Sequence, residues 1–124
     1  MILVDTSIWI DHLRKGDLGL FSLLGKNQVL MHPFVLGELA AGALDDRASV
    51  LDIFRKLPTI LPARDFEVLA FIESAKLHGT GIGYVDAHLL CAVRLVAGSG
   101  LWTRDARLAA AATRLGVAAN PHDP

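Results

Sequence analysis

Short apolar runs alternate along the chain with longer segments whose apolar residues recur every three or four positions. The short runs predict strands at residues 1–4, 28–31, 59–61 and 100–102, and a weaker one at 117–119. The longer segments predict helices at residues 7–14, 18–24, 33–44, 46–57, 64–78, 84–97 and 105–115. Alternating strands and helices are typical of an α/β domain with a mostly parallel sheet.

Several predicted helices carry recognisable end signals. Thr6 or Ser7 is expected to cap the first helix, because a hydroxyl side chain there accepts a hydrogen bond from a free backbone N–H group. Pro33 suits the first turn of its helix. Gly79 is expected to end the helix at residues 64–78, because glycine readily adopts the left-handed conformation that follows many helices.

Length and composition favour one globular domain. The chain has 124 residues, of which 52% are hydrophobic and 20% are charged, so we expect a single domain over residues 1–124. A mean hydropathy of +0.43 is high. Such a value indicates either a very buried sheet or an apolar surface that a partner covers.

Targeting signals and disulfides are not expected. No apolar run reaches the roughly 18 residues that a membrane-spanning helix needs, and no basic segment precedes an apolar run at the N-terminus. Cys91 is the single cysteine, so an intramolecular disulfide is excluded. These features predict a cytoplasmic protein without membrane association.

The charge balance argues against a general electrostatic binder of nucleic acid. The formal net charge is -1, whereas such binders are normally strongly basic. A nuclease is still compatible, because carboxylates around a metal lower the net charge while the rim of the site stays basic. The candidates for such a rim are Arg14, Lys15, Lys26, Arg104 and Arg107, although for any one of them ordinary surface charge is the simpler reading.

Two carboxylates follow strand-like runs. Asp5 ends the apolar run of MILVDTS, and Asp105 ends the stretch LWTRD. Both therefore repeat one local arrangement, in which an apolar strand is followed by hydroxyl and carboxylate side chains and then by a helix. In parallel sheets, ligands collect beyond the carboxyl ends of the strands.

Two further carboxylates lie on helix faces that are otherwise apolar. Glu38 in HPFVLGELAAGAL shares its face with Phe34 and Val35, and Asp86 in GYVDAHLLCAVRLV shares its face with Ile82. A buried carboxylate is costly unless it is protonated, paired or bound to a cation. Pairing with Arg is one alternative for each, and helix capping is a second for Asp86, which falls in the first turn.

Four such carboxylates favour a common site over four separate explanations. Clustered carboxylates repel each other and require a cation, and hard oxygen ligands select Mg²⁺, with Mn²⁺ able to substitute, over Zn²⁺. Mg²⁺ that keeps several waters suits phosphoryl chemistry, because the ion activates water and stabilises charge on phosphate oxygens. Whether one or two ions bind is left open.

Four segments in order resemble the PIN-domain ribonucleases, and within them the small VapC-type toxins of toxin–antitoxin pairs. They are VDTS, GEL, GIGYVDAHLL and LWTRD, and together they cover nearly the whole chain. The resemblance implies a three-layer α/β/α sandwich with a central sheet of about four or five strands. It also implies Mg²⁺-dependent endonucleolytic cleavage of RNA.

The resemblance also assigns roles to the four carboxylates. Asp5 and Asp86 resemble the principal metal ligands, and Asp105 resembles a third ligand, directly or through water. Glu38 resembles a ligand or the group that orients the attacking water. All four thus become candidate catalytic residues.

Hydroxyl groups and partners complete what the resemblance implies. Thr6, Ser7 and Thr103 resemble the hydroxyls that line such sites and bind carboxylate or phosphate. The implied partners are a tRNA or other structured RNA substrate, a second copy in a homodimer, and a cognate antitoxin. An antitoxin segment would lie on the apolar helices early in the chain, with an Arg entering the acidic site.

Other signals have structural explanations. The glycines of HGTGIG, residues 78–83, follow a helix and lack the spacing of a phosphate-binding loop, so we expect a flexible joint. His88 is expected on the surface. Cys91 is expected in the core because nothing basic is spaced to activate it. Trp9 and Trp102 adjoin the site but are expected to be buried.

Three other functions stay open at this point. A haloacid dehalogenase-type phosphatase also has an Asp after its first strand, but it needs a second Asp where this chain has Ser7. A phosphorylation receiver domain needs an acidic pair and a late Lys that are not evident. A non-catalytic RNA-binding or protein-interaction module with the same fold would leave the carboxylates without a purpose and should not bind Mn²⁺.

Overall fold

The structure is a computed structural model that describes residues 1–121. Its strands are β1 (Ile2–Val4), β2 (Val29–Leu30) and β3 (Gly100–Trp102). Its helices are α1 (Thr6–Lys15), α2 (Leu18–Gly25), α3 (Pro33–Ala41), α4 (Arg47–Lys56), α5 (Asp65–Ser74), α6 (Tyr84–Leu95) and α7 (Ala106–Arg114). The predicted α/β class is confirmed.

The three strands form a parallel sheet in the order β2-β1-β3. Ile2 pairs with Val29 on one side and with Gly100 on the other. The other two predicted strands contribute only isolated parallel bridges, Met31 with Thr59 and Leu101 with Ala118. The sheet among the described residues therefore has three strands, and the two outer segments extend it by one bridge each.

Burial explains why β1 lies at the centre of the sheet. Leu3 and Val4 are fully buried, as expected for a parallel strand that is covered on both faces.

Gly100 at the start of β3 permits a close approach of the C-terminal segment, because a Cβ at this position would lie 2.8 Å from the Cβ of Ala119.

Helix α6 is the most buried helix of the structure. Seven consecutive residues, 87–93, are buried, and the helix packs against α5 and β3. A helix that buries residues on all sides is surrounded by other elements, and its position is fixed by packing against them. This packing fixes its first turn, which carries Asp86, relative to the sheet.

Two predicted helix ends lie three or more residues beyond those of the structure. The predicted helix at residues 64–78 ends at Ser74, because Lys76 takes the left-handed conformation with φ +54° and the Leu77 N–H donates to Ile72 O. Gly79 is therefore not its terminator. Helix α3 ends at Ala41 rather than at residue 44.

The N-terminus of α1 also differs from the prediction. Asp5 occupies the N-cap position, and Thr6 and Ser7 lie within the first turn. Pro33, by contrast, occupies the first turn of α3 as predicted. Within residues 1–121, no helix is long and apolar enough to cross a bilayer.

Candidate active site

Asp5 is a buried carboxylate at the carboxyl end of β1. Its side chain is only 7% exposed. The Thr103 hydroxyl donates to Asp5 Oδ2 at 2.7 Å, and the Ser7 hydroxyl donates to the same oxygen at 2.9 Å. The predicted capping role of Thr6 or Ser7 is thus wrong, because the Ser7 hydroxyl binds this carboxylate and the N-cap side chain makes no capping bond.

Asp105 lies after β3, beside Asp5 across the sheet edge. Its Oδ1 accepts hydrogen bonds from the backbone N–H groups of Arg107 at 3.0 Å and Leu108 at 3.1 Å, so that it caps α7. Its own N–H donates to Thr103 Oγ1 at 3.1 Å. Thr103 therefore connects the Asp5 carboxylate to the backbone of Asp105, and capping fixes the orientation of the Asp105 side chain.

Asp86 is half-buried in the first turn of α6. Burial raises the pKa of its carboxyl group, and the negative charges of Asp5, Asp105 and Glu38 raise it further, against a lowering by a backbone hydrogen bond at Gly83. The electrostatic part of this shift means that Asp5, Asp105 and Glu38 each lie near enough to Asp86 to repel its charged form. The side chains of Asp5, Glu38 and Asp105 therefore lie on the side of the molecule where α6 begins with Asp86.

Glu38 extends from α3 toward the other three candidate carboxylates. The Thr6 hydroxyl donates to Glu38 Oε1 at 2.8 Å. The expectation that Glu38 lies on a buried face is wrong, since the residue is exposed. The buried face of α3 is formed by Val35 and Leu39 instead, and Glu38 projects beside α1.

The chemistry of these donors fits a hard divalent cation. All four side chains offer oxygen only. Burial, and to a smaller extent the charges of the other three carboxylates, raises the pKa of Asp86, and a bound cation would relieve both effects. Within residues 1–121, no three Asp, Glu, His or Cys side chains are close enough to form a complete ligand set. A cation held by few carboxylates and several waters, as Mg²⁺ commonly is, needs no such complete set.

Arg104 is engaged in a network that the sequence did not reveal. Its guanidinium forms ion pairs with Asp11 at 2.7 Å and with Asp17, and it lies 5.8 Å from the centre of the Trp102 ring. The hydrogen bond to Asp17, more than the one to Asp11, raises the pKa of Arg104. Its backbone N–H donates to Ser7 Oγ at 3.1 Å, so the residue ties the loop after β3 to α1.

An open groove adjoins Glu38. It has a volume of about 710 Å³ and runs between α1, the end of α3 and the start of α4. Ile10 and Leu13 supply apolar side chains, and the charged lining consists of three carboxylates and one cation: Glu38, Asp45, Asp46 and Arg14. The groove thus combines an apolar wall with an acidic one beside the candidate site.

The remaining predictions concern side chains other than the four candidate carboxylates. Cys91, Trp9 and Trp102 are buried, as expected. The prediction of a surface position for His88 is wrong, because its ring is buried 4.6 Å from the ring of Phe34. A single polar residue on an apolar helix does not by itself show whether a neighbouring ring will cover it.

Comparisons with known proteins agree with this geometry. The family model named PIN domain matches residues 2–114. The chain is 48% identical over 118 residues to "Ribonuclease VapC32" of Mycobacterium tuberculosis strain CDC 1551 / Oshkosh, which covers 95% of each chain. It is similar to the same extent to "Ribonuclease VapC32" of Mycobacterium tuberculosis strain ATCC 25618 / H37Rv.

Proposed function

Because the chain belongs to the PIN-domain family, and within it to the VapC ribonucleases, we propose that it is a metal-dependent endoribonuclease that cleaves RNA phosphodiester bonds. The observation that carries this proposal is the meeting of Asp5 and Asp105 at one edge of the sheet, where the Thr103 hydroxyl binds both residues, close to the half-buried Asp86. Burial, and then the charges of Asp5, Asp105 and Glu38, raise the pKa of Asp86. Such a group of carboxylates is suited to binding a cation that acts on phosphate.

We propose that Asp5, Asp86 and Asp105 hold Mg²⁺, with Mn²⁺ able to substitute. The ion would supply an activated water and stabilise negative charge on the phosphate oxygens. Asp5 is buried and fixed by two hydroxyl donors, so its orientation is set before any cation binds. Asp105 is fixed by its capping bonds.

Glu38 is proposed to orient the attacking water. It is exposed, and the hydrogen bond from Thr6 fixes one carboxylate oxygen. A carboxylate accepts several hydrogen bonds, so the side chain retains capacity to accept one from water. Thr6, Ser7 and Thr103 are proposed as positioning residues, because their hydroxyls donate to carboxylates of the site.

The proposed biological role is that of the toxin of a toxin–antitoxin pair. The cognate antitoxin is proposed to occupy the groove beside Glu38, where apolar side chains of α1 face the carboxylates Asp45 and Asp46. An amphipathic, basic segment complements such a groove in both polarity and charge. An Arg of that segment is proposed to reach the acidic site and block it.

Three further features belong to the proposal. The whole of residues 1–124 is proposed to form one domain. A homodimer is proposed, in which a second copy covers apolar side chains of α5 such as Phe66 and Leu69, which are 65% and 58% exposed. Action on cellular RNA together with the free thiol of Cys91 fits a cytoplasmic location.

The decisive experiment is cleavage of tRNA and other structured RNAs by antitoxin-free protein with Mg²⁺, with EDTA, and with folded Asp86→Asn protein. Discrete fragments that arise only with wild-type protein and metal would support the proposal. Equal cleavage by the Asp86→Asn protein would contradict the assigned site. RNA binding without cleavage and without Mn²⁺ binding would favour a non-catalytic RNA-binding module.

A further inference from the structure

The guanidinium group of Arg107, in the first turn of α7, has no partner among residues 1–121. Within residues 1–121 this group makes no hydrogen bond or ion pair, and the residue is exposed. Arg104, three residues earlier, is held by Asp11 and Asp17 instead. These two expected rim residues therefore differ: carboxylates neutralise the charge of Arg104, whereas no carboxylate of the described part of the chain, residues 1–121, pairs with Arg107.

The guanidinium of Arg107 lies against the backbone of Gly81, in the loop between α5 and α6. A Cβ at residue 81 would lie 2.6 Å from Arg107 Nη1 and 2.9 Å from its Cδ. The glycine also has φ +86°, a conformation that side chains disfavour. The absence of a Cβ leaves room for the arginine, and the backbone conformation favours glycine independently. The loop and the arginine side chain therefore fit each other only with glycine at residue 81.

This contact places Arg107 between two elements that carry candidate metal ligands. Its backbone N–H donates to Asp105 Oδ1 at 3.0 Å. Two residues beyond Gly81, a Cβ at Gly83 would lie 3.9 Å from Asp86 Oδ2. The guanidinium group is therefore held against the loop that leads to Asp86, while its own backbone binds Asp105, and among residues 1–121 it forms no ion pair with either carboxylate.

A site of four carboxylates repels a polyanionic substrate unless positive charge lies nearby. A guanidinium group provides paired N–H donors that match phosphate oxygens. Resting on Gly81 restricts the side chain, which lowers the conformational entropy lost when a ligand binds. Arg107 thus has the charge, the position and the free donors of a phosphate contact.

We propose that Arg107 binds a backbone phosphate of the RNA next to the carboxylate site, a proposal that rests on the proposed ribonuclease function. The contact is sequence-independent, because it reaches phosphate and not the base edges. Its loss should weaken binding of all RNAs alike and reduce the dependence of binding on salt.

The test is binding of fluorescently labelled bulk tRNA in EDTA, measured as a function of salt concentration. The variants are Arg107→Gln, Arg107→Lys and the matched control Arg55→Gln, which removes the same charge from an exposed residue of α4. For Arg107→Gln we expect affinity to fall roughly tenfold at low salt and the slope of log K against log[salt] to decrease by about 1. Arg107→Lys should keep the slope, and Arg55→Gln should match wild type.

Circular dichroism of each variant establishes that it is folded, and the exposed side chain can be shortened without opening the core. Equal affinity and equal slope for Arg107→Gln and Arg55→Gln would overturn the proposal for Arg107 while wild-type cleavage still supports the ribonuclease. If wild-type protein neither binds nor cleaves RNA, the proposed function fails and the phosphate contact fails with it. The two failures are thus distinguished by the wild-type measurement.

Discussion

The Thr103 hydroxyl donates a 2.7 Å hydrogen bond to Asp5 Oδ2, which joins the segment after β3 to the carboxylate after β1 across 98 positions of sequence. The two strands are parallel neighbours, so their carboxyl ends meet at one edge of the sheet. The same hydroxyl accepts the N–H of Asp105 at 3.1 Å. One side chain therefore orients the carboxylate of Asp5 and fixes the backbone of Asp105.

This arrangement predicts that Thr103→Val will weaken metal binding more than it weakens the fold. Valine has nearly the same shape but cannot donate to Asp5, and loss of such a supporting bond commonly reduces metal affinity 10- to 100-fold. Titration of the protein with Mn²⁺ measures the effect. Thr103→Ser, which keeps the hydroxyl, should retain nearly wild-type affinity, and equal loss in both variants would contradict the proposed hydrogen-bonding role.

Mg²⁺ should stabilise the wild-type protein against thermal unfolding. A ligand that binds only the folded state adds about 2.7 kcal/mol to the free energy of unfolding at 100 times its dissociation constant. Asp86→Asn should largely remove this stabilisation, because it removes a proposed ligand. Without metal the variant should be at least as stable as wild type, since burial and three neighbouring carboxylates disfavour the charged form of Asp86.

Asp52→Asn is the matched control for that experiment. Asp52 is an exposed carboxylate of α4 whose partner is Lys56 at 2.9 Å, and exposed pairs of this kind contribute little to stability. Its Mg²⁺-dependent rise in unfolding temperature should equal that of wild type. A similar loss of stabilisation in both variants would indicate nonspecific cation binding rather than a site at Asp86.

Local patterns in the sequence were sufficient for the three strands of the sheet and for the places of two candidate site residues at its edge. The apolar runs that became β1 and β3 end directly before the segments that carry Asp5 and Asp105. The α/β order then requires these ends to meet. The outer segments at Thr59 and Ala118 form only bridges, because a short apolar run does not determine how many residues will pair.

Contacts between distant residues were not predictable in the same way. Arg104 and Arg107 look alike in the sequence, yet Arg104 pairs with Asp11, which is 93 positions away, whereas Arg107 has no such partner among residues 1–121. His88 was expected on the surface but is covered by Phe34. Such differences depend on which elements pack together, and a helical periodicity alone does not contain that information.

Leu13→Asp should release the ribonuclease from inhibition by its antitoxin. Leu13 is 41% exposed and lines the groove beside Glu38, so a carboxylate there would face a desolvated apolar partner. We expect at least a tenfold weaker affinity for the antitoxin, as for loss of a buried interface contact, and unchanged cleavage by the free toxin. The measurement is RNA cleavage during titration with the purified antitoxin.

Leu95→Asp is the control for that substitution. Leu95 is an exposed leucine at the end of α6, 58% exposed and not among the residues that line the groove. This variant should be inhibited like wild type. Equal inhibition of the Leu13→Asp protein would place the antitoxin elsewhere on the surface.

His32 should make the fold sensitive to acid. Burial, and to a smaller extent the charge of His88, lowers the pKa of His32 from its ordinary value of 6.5 to about 4. The Phe34 N–H donates to His32 Nδ1 at 2.9 Å, so protonation of this nitrogen would also break the N-terminal cap of α3. The folded protein therefore holds the imidazole neutral at a pH where the unfolded chain is already protonated.

The sign of the pH effect follows from proton binding. Between pH 6.5 and about 4 the unfolded state binds more protons than the folded state, so the free energy of unfolding falls as the pH falls through this interval. A difference of this size corresponds to roughly 3 kcal/mol, reached at about pH 4.

His32→Asn removes the titrating group, and asparagine is a favoured capping residue that can still accept the Phe34 N–H. We expect urea unfolding at pH 7.5, 6, 5 and 4 to show a steeper loss of stability for wild type than for His32→Asn. Parallel curves would show that the acid sensitivity arises from other groups, whatever the stability of the variant at neutral pH.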